Sequence, residues 1–520
     1  MIISSSCLRR FGHFQLSRRG LSQYILVCAL LSTLTLSVIT LRLFGHLYFT
    51  RPKPGVAKSL SFQTSIGRIS NVFQLPGPNL RLRSKPPRNF SKGLIQLQGR
   101  DFSGSDLDDL QQAVLSSAIL TWDYHRNTTR PRSWFNCSKL IQADKNEQLK
   151  YQAWFAKQHQ GFATLDEDIV PMMTSNCSIF KTIRGYSNTT GTAVEREYPI
   201  AYVILVHRRF EHLERLVRAL YRPQHSFCIH IDSKASYSLK RAVFTFAQCF
   251  PNVHLAPRPQ RIVYAHVSRL VADIVCMEEL LRRDSTWKYL INFASTELPI
   301  RTNFETAQIL DALQGLNDIH ETYEKRVVSR FDRVYKIVDG RMKATDKAMP
   351  PAPHNITVVK GQAYNTFSRP FLEWLFKDQR SRDLLVWSAQ TYSPDEHYWA
   401  TLNDLYHNPH LESPGGFADI PERKGYITKF ILWAYTSAKY ECRGKAVHSI
   451  CNFNALDLPT IIPRYHLAAN KYDLTYDPVA YACMEELLEN RTLTPDPAFD
   501  KRDYESLYFV RTSRKKSLRP

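Results

Sequence analysis

The sequence predicts an α/β layered domain built on a largely parallel sheet, and three segments carry that prediction. Tyr198 to His207 is an apolar, β-branched run with no charge before its terminal histidine, as expected of a strand buried on both faces. Phe210 to Leu220 places Leu213, Leu216, Val217 and Leu220 on one helical face. Phe227 to Asp232 supplies a second strand, which makes the opening a β-α-β unit. Ligands of such sheets bind beyond the carboxyl ends of the strands, where His207 and Asp232 fall. Asp232 can serve there as a ribose or uracil contact or as a plain strand-end cap.

Taken from its start, the chain opens with residues 1–20, a short basic tail, followed by residues 21–41, an uncharged stretch flanked by Arg18, Arg19 and Arg42. That stretch is long enough to cross a bilayer as a helix. It reads as an uncleaved signal-anchor, because a signal peptide has a shorter apolar run and a small-residue cleavage site. Basic residues flank both ends, so charge alone does not orient it. Sequons do: Asn89, Asn127, Asn136, Asn176, Asn188, Asn355 and Asn490 each open an Asn-x-Ser/Thr triplet, and all lie beyond the anchor. The expected topology is therefore a cytosolic tail and a luminal C-terminal side. Residues 42–120, rich in Pro, Ser, Arg and Gln, read as a stem.

The formal net charge of +21 is concentrated at that end. No acid precedes Asp101, and residues 101–520 carry 54 basic against 48 acidic side chains, a net of +6. This excludes a nucleic-acid footprint on the folded domain, which also lacks a nucleic-acid motif. Eight cysteines lie beyond the anchor, an even number that suits disulfides in an oxidising lumen, and no Cys-x-x-Cys spacing suggests zinc.

The folded domain is expected over residues 121–500 and a basic tail over 501–520. Asp106 to Asp108 and Asp166 to Asp168 match an Asp-x-Asp metal pattern, but neither follows an apolar strand, and both are discounted. From Arg261 a short strand and an amphipathic helix through Leu281 are expected, then a third strand over Trp287 to Phe293. Glycine-rich dinucleotide and P-loop motifs are absent. Residues 314–355 read as substrate-side loops, and Pro370 to Phe376 as a helix. Ser393-Pro394-Asp395-Glu396-His397 reads as a helix start, with Ser393 as N-cap, Pro394 at the first helical position and Asp395 as a capping acid. Gly415-Gly416 marks a loop. Cys442 and Cys451 bracket His448 at a spacing that permits a local disulfide.

These motifs, in this order, resemble the core 2 β-1,6-N-acetylglucosaminyltransferase family, glycosyltransferase family 14, which is related to the protein xylosyltransferases. The resemblance runs from Cys137 to Cys483 and rests on Tyr221-Arg-Pro-Gln, Phe227-Cys-Ile-His-Ile-Asp232, Trp287-Lys-Tyr-Leu-Ile-Asn292, Leu298-Pro-Ile-Arg-Thr-Asn303, Ser393-Pro-Asp-Glu-His397 and His466-Leu-Ala-Ala-Asn-Lys471. It implies a glycosyltransferase A fold, a Rossmann-like mixed sheet flanked by helices, on a type II anchor in the Golgi membrane. It also implies inverting, metal-independent transfer from a UDP-sugar, with no cofactor, to the 6-hydroxyl of an O-glycan core on glycoproteins.

Glu396 matches the family's catalytic base. His207, Asp232 and Tyr264 match its nucleotide-sugar side, and Lys471 matches a cation that meets the diphosphate. A second such cation is an arginine in the family and falls on His448 here, with Arg443 and Lys445 close by to compensate. On the acceptor side Arg330 matches a sugar-contacting arginine, an expected glutamate falls on His320 or Glu321, and an expected lysine falls on Val327. The family's cysteine pattern implies Cys137 with Cys483, Cys177 with Cys249, Cys228 with Cys276 and Cys442 with Cys451. His448, a weaker countercharge than guanidinium, and Gln362 keep two alternatives open. One is another donor, UDP-glucose or UDP-xylose; the other is a catalytically weak, membrane-tethered glycan-binding protein.

Overall fold

A computed structural model describes residues 135–158, 161–323, 325–407, 426–434 and 440–511 of the protein. The expected anchor and stem, Asn89, Asn127, Asp106 to Asp108, Gly415-Gly416 and the tail past Arg511 lie outside the described residues. Among the described residues no helix is long and apolar enough to cross a membrane.

Four parallel strands form the spine: β1 (Ile200–Val206), β2 (Ser226–Ile231), β3 (Val253–Leu255) and β4 (Tyr289–Ala294). β1 pairs with β2 from Ala201–Ser226 to Val206–Ile231, and with β4 from Ile200–Tyr289 to Leu205–Ala294. β3 adds beyond β2, and Thr366–Ser368 closes the β4 edge antiparallel. The chain steps outward from β1 to β3 and then crosses back to β4, so the order reverses between β1 and β4. A crevice at the carboxyl ends follows from that reversal.

β1 reads as an unbroken apolar run because both its faces are covered. Ile200, Tyr202, Ile204 and Val206 pack with Leu213, Leu216, Val217 and Leu220 of helix Phe210–Leu220. Ala201 and Val203 pack on the other face with Leu270 and Cys276 of helix Ser268–Arg283, and with Trp399. A third cluster surrounds a small sheet of Leu298–Pro299, Ala468–Asn470 and Lys429–Ile431. Disulfides join Cys137 to Cys483, Cys177 to Cys249, Cys228 to Cys276 and Cys442 to Cys451.

Several expectations differ from the structure. Residues after Arg261 form no strand; Val263 N–H donates to the Ser268 hydroxyl and Ala265 takes a φ of 60°, so the segment turns directly into the helix. The third parallel strand is instead Val253–Leu255, too short for a period to show. The polar stretch 314–355 contains a hairpin, Arg333–Val338 with Arg341–Ala348, whose two exposed faces erase the alternation of a half-buried strand. The fold also continues past residue 500, since Tyr504, Phe509 and Val510 are buried. Asp166 caps the 3-10 turn Glu167–Ile169, and Glu167 accepts from Phe210 N–H, which accounts for that acidic triplet without a metal. Asn136 and Asn176 cap helices through their side-chain oxygens, while Asn188, Asn355 and Asn490 are exposed.

Candidate active site

Glu396 closes a 3-10 turn, Pro394–Glu396, that leads into helix Tyr398–His407. Ser393 does not cap it with its side chain. It sits at φ 50°, and its N–H donates to Ala265 O at 2.8 Å, which ties the turn to the segment carrying Tyr264. Asp395 is likewise not a cap: its carboxylate pairs with Arg269, whose guanidinium also lies 4.8 Å from the Tyr364 ring centroid. His397 turns inward, 3 % exposed, against Phe331 and Trp387. Burial, and then the charge of Arg330, hold its imidazole down at about 3, so it stays neutral in the wall behind Glu396.

Arg330 Nη1 lies 2.5 Å from Glu396 Oε2, and Tyr392 N–H donates to Arg330 O, so the acceptor-side arginine and the base candidate form one unit. His320 and Glu321, neighbours in the chain, stand in different settings. His320 meets the Tyr426 ring edge-on, whereas Glu321 is 1 % exposed and accepts from Asn403 of helix Tyr398–His407. Glu321 is thus part of the scaffold. Val327 is exposed, and the cation nearby is Arg326, stacked on Tyr323.

At the end of β2, Asp232 Oδ1 accepts from Lys234 N–H and Ile262 N–H at 2.9 and 3.4 Å, a strand-end cap that holds the loop toward Tyr264. His230 Nε2 accepts from Gln260 N–H and pins the same loop. Burial, and then Arg208, hold the His207 imidazole below its ordinary range. Tyr264 is 76 % exposed. Burial, and then Tyr392 and Glu396, raise its phenol, and its ring lies 6.3 Å from that of His448. It therefore lies between Glu396 and the hairpin tip of His448.

His448 and Ser449, at φ 53° and 64°, form the tip of the hairpin Lys445–Val447/Ile450–Asn452, which Cys442–Cys451 braces. Val447 O accepts from Lys471 Nζ at 3.2 Å, so the tip and the lysine are in contact. Below them, Glu297 and Lys429 form a fully buried ion pair at 3.1 Å. Burial pushes the lysine down to about 8, and Asn470 Nδ2 donates to Glu297 Oε1, which fixes the residue preceding Lys471. Arg443 is held by Glu441 at 3.3 Å.

Three members of this surface escaped the sequence reading: Arg208, Arg269 and Asp473. Arg209 Nη1 contacts both oxygens of Asp473 at 3.2 Å, and Arg208 stands 3.9 Å from the same carboxylate. Burial, and then Arg208, lower the Lys471 ammonium. The sequence signal was the run His207-Arg208-Arg209 immediately after a buried strand. A cavity of about 520 Å³ lies elsewhere, lined among others by Arg301, Tyr465 and Tyr504, and contains none of the residues above.

The Core-2/I-Branching enzyme model matches residues 200–461, which span β1 through the hairpin of His448. A human β-1,3-galactosyl-O-glycosyl-glycoprotein β-1,6-N-acetylglucosaminyltransferase is 35 % identical over 373 residues, covering 70 % of this chain and 87 % of its own. A mouse β-1,3-galactosyl-O-glycosyl-glycoprotein β-1,6-N-acetylglucosaminyltransferase 3 is 34 % identical over 409 residues, covering 76 % and 91 %. The enzyme of the first name from bovine herpesvirus 4 is 31 % identical over 414 residues, covering 77 % and 90 %. Among solved structures, a 4-diphosphocytidyl-2C-methyl-D-erythritol synthase from Anaerococcus prevotii covers 36 % of this chain and 80 % of its own at 14 % identity, with a TM-score of 0.20, too low to inform the fold. On the family match and these relatives, the chain belongs to the Core-2/I-branching enzyme family of glycosyltransferases.

Proposed function

We propose that the protein is an inverting Golgi glycosyltransferase of the glycosyltransferase A type. It moves N-acetylglucosamine from UDP-N-acetylglucosamine, in β-1,6 linkage, onto an O-glycan core of glycoproteins. The relatives' names carry that donor residue, linkage and acceptor class. The observation that supports the reading in this chain is the continuity of one surface: Arg330, Glu396, Tyr264, His448 and Lys471 follow one another across it. A base at one end and a cation at the other suit a displacement in which the nucleophile and leaving group lie on opposite sides of the anomeric carbon.

In that reaction the acceptor 6-hydroxyl oxygen bonds to the anomeric carbon as the bond to the β-phosphate oxygen breaks. Glu396 takes the hydroxyl proton, and UDP leaves with the bonding pair toward Lys471. A single displacement inverts the carbon. Arg330 orients the Glu396 carboxylate and meets the acceptor sugar, while Asp232 and His207 frame the nucleoside. Side-chain cations meet the diphosphate, so no divalent metal is required. Residues 21–41 hold the enzyme in the Golgi membrane, with residues 1–20 in the cytosol.

The test is a transfer assay with a galactosyl-β-1,3-N-acetylgalactosamine acceptor and EDTA throughout, read by product mass. Wild type is expected to add one N-acetylhexosamine. Glu396→Gln is expected to lose at least 10²-fold in rate and keep UDP binding. A hexose or pentose product would reassign the donor, and full activity of Glu396→Gln would remove the proposed base.

A further inference from the structure

We infer that Arg208 supplies the second positive charge at the diphosphate, beside Lys471; this rests on the reading of the crevice as a UDP-sugar site. Arg208 is the second residue past β1, at the point where the strand order reverses. Its side chain is 53 % exposed, and among the described residues it makes no hydrogen bond. Its one ion-pair contact among those residues, 3.9 Å to Asp473 Oδ2, is longer than a hydrogen bond. Asp473 is already engaged by Arg209 and by the N–H and hydroxyl of Thr475, at 3.0 and 2.7 Å. The Arg208 guanidinium is therefore placed by that carboxylate, and its donors remain available.

Asp473 lies two residues past Lys471, and so it seats Arg208 beside the lysine. Burial lowers the basicity of Lys471 first, and the neighbouring Arg208 lowers it further, as expected of two cations side by side. Two cations in a crevice at strand carboxyl ends are costly when empty and stabilised by an anion between them. A diphosphate supplies that charge, and a guanidinium matches phosphate oxygens in a bidentate manner.

Other sources of the missing charge are weaker on geometry. Arg443 is held by Glu441. The N-terminus of helix Phe210–Leu220 already spends its first N–H on Glu167. His448 is an imidazole on an exposed tip. An imidazole at the hairpin tip is tolerable when the guanidinium comes from the end of β1 instead of from the hairpin.

The test measures UDP and uridine binding by calorimetry or competition on the full chain in detergent, for wild type, Arg208→Gln, Arg208→Lys and the double variant Arg208→Gln/His448→Arg. Expected is a loss of roughly tenfold to a hundredfold in UDP affinity for Arg208→Gln with uridine unchanged, since the contact is charge-assisted and made only to phosphate. Arg208→Lys is expected to keep part of the affinity, and the double variant to recover it by returning a guanidinium to the hairpin. Unchanged UDP binding in Arg208→Gln overturns the inference. So does an equal loss of uridine binding, which would mark Arg208 as structural. A wild type that binds no UDP overturns the site reading as well, and so separates the two failures.

Discussion

Asp395 and Glu396 are neighbours in the chain that meet different cations, Arg269 and Arg330. Their substitutions should therefore fail in different ways. Glu396→Gln removes a proton acceptor from a half-buried position without stripping a deeply buried partner. Asp395→Asn strips the partner from a half-buried guanidinium and is expected to cost roughly 1–3 kcal/mol of stability, less than a fully buried pair loses. Chemical denaturation read beside turnover checks this, the outcome being a lowered midpoint with residual activity. Glu396 and Lys471 were legible as members of long motifs, and His448 from its place between Cys442 and Cys451 upstream of Lys471. Ser393 was misread because Ser-Pro-Asp-Glu carries every local mark of a capped helix. Its φ of 50° comes from a tertiary hydrogen bond to Ala265. Arg208 and Arg269 were missed for a related reason, since their partners lie more than a hundred residues away; only the position of Arg208 just past a buried strand marked it.

At the scale of elements, the long, doubly covered strands and the helix Phe210–Leu220 were plain from periodicity, and the short ones were not. Three-residue β3 and the two-residue pairing of Glu321–Thr322 with Lys360–Gly361 are set by what packs on them. That second pairing matters for the acceptor side. A Cβ at Gly361 would stand 2.6 Å from His320 O and 2.7 Å from Ala400 Cβ, in helix Tyr398–His407 just past Glu396. Gly361→Ala must push strand and helix apart, at an expected cost of about 1–3 kcal/mol. Because both neighbours flank the proposed acceptor side, KM for the acceptor is expected to rise while UDP affinity holds. A rise in the UDP Kd of similar size would contradict this division of the site.

At the scale of the whole molecule, Asp318 binds the main sheet to the small one. It exchanges backbone hydrogen bonds with Thr366 and accepts from Ile427 N–H, Thr428 N–H and the Thr428 hydroxyl. Burial lifts its carboxyl to about 7, against an ordinary value of 3.8. The folded protein then holds a proton that the unfolded chain releases, so this stabilisation is complete below about pH 4 and is lost as pH rises through about 7. Asp318→Asn carries the neutral form at every pH. Expected is near-equal stability at pH 4 and a gain for the variant of roughly 2–4 kcal/mol above pH 7, from unfolding curves of both proteins. The opposing drift of buried imidazoles such as His397 and His466, held at about 3, is common to both and cancels in the difference. The bond from Cys137 to Cys483 spans 346 residues of chain. At a synthesis rate of about 5–20 residues per second, Cys137 waits roughly 17–70 s for its partner to be made. Cys177–Cys249 and Cys228–Cys276 have both their halves well before then. The thiol made first among the eight is thus among the last to be sealed, and the newborn chain spends that interval exposed to the wrong cysteine, a hazard suited to the attention of a disulfide isomerase.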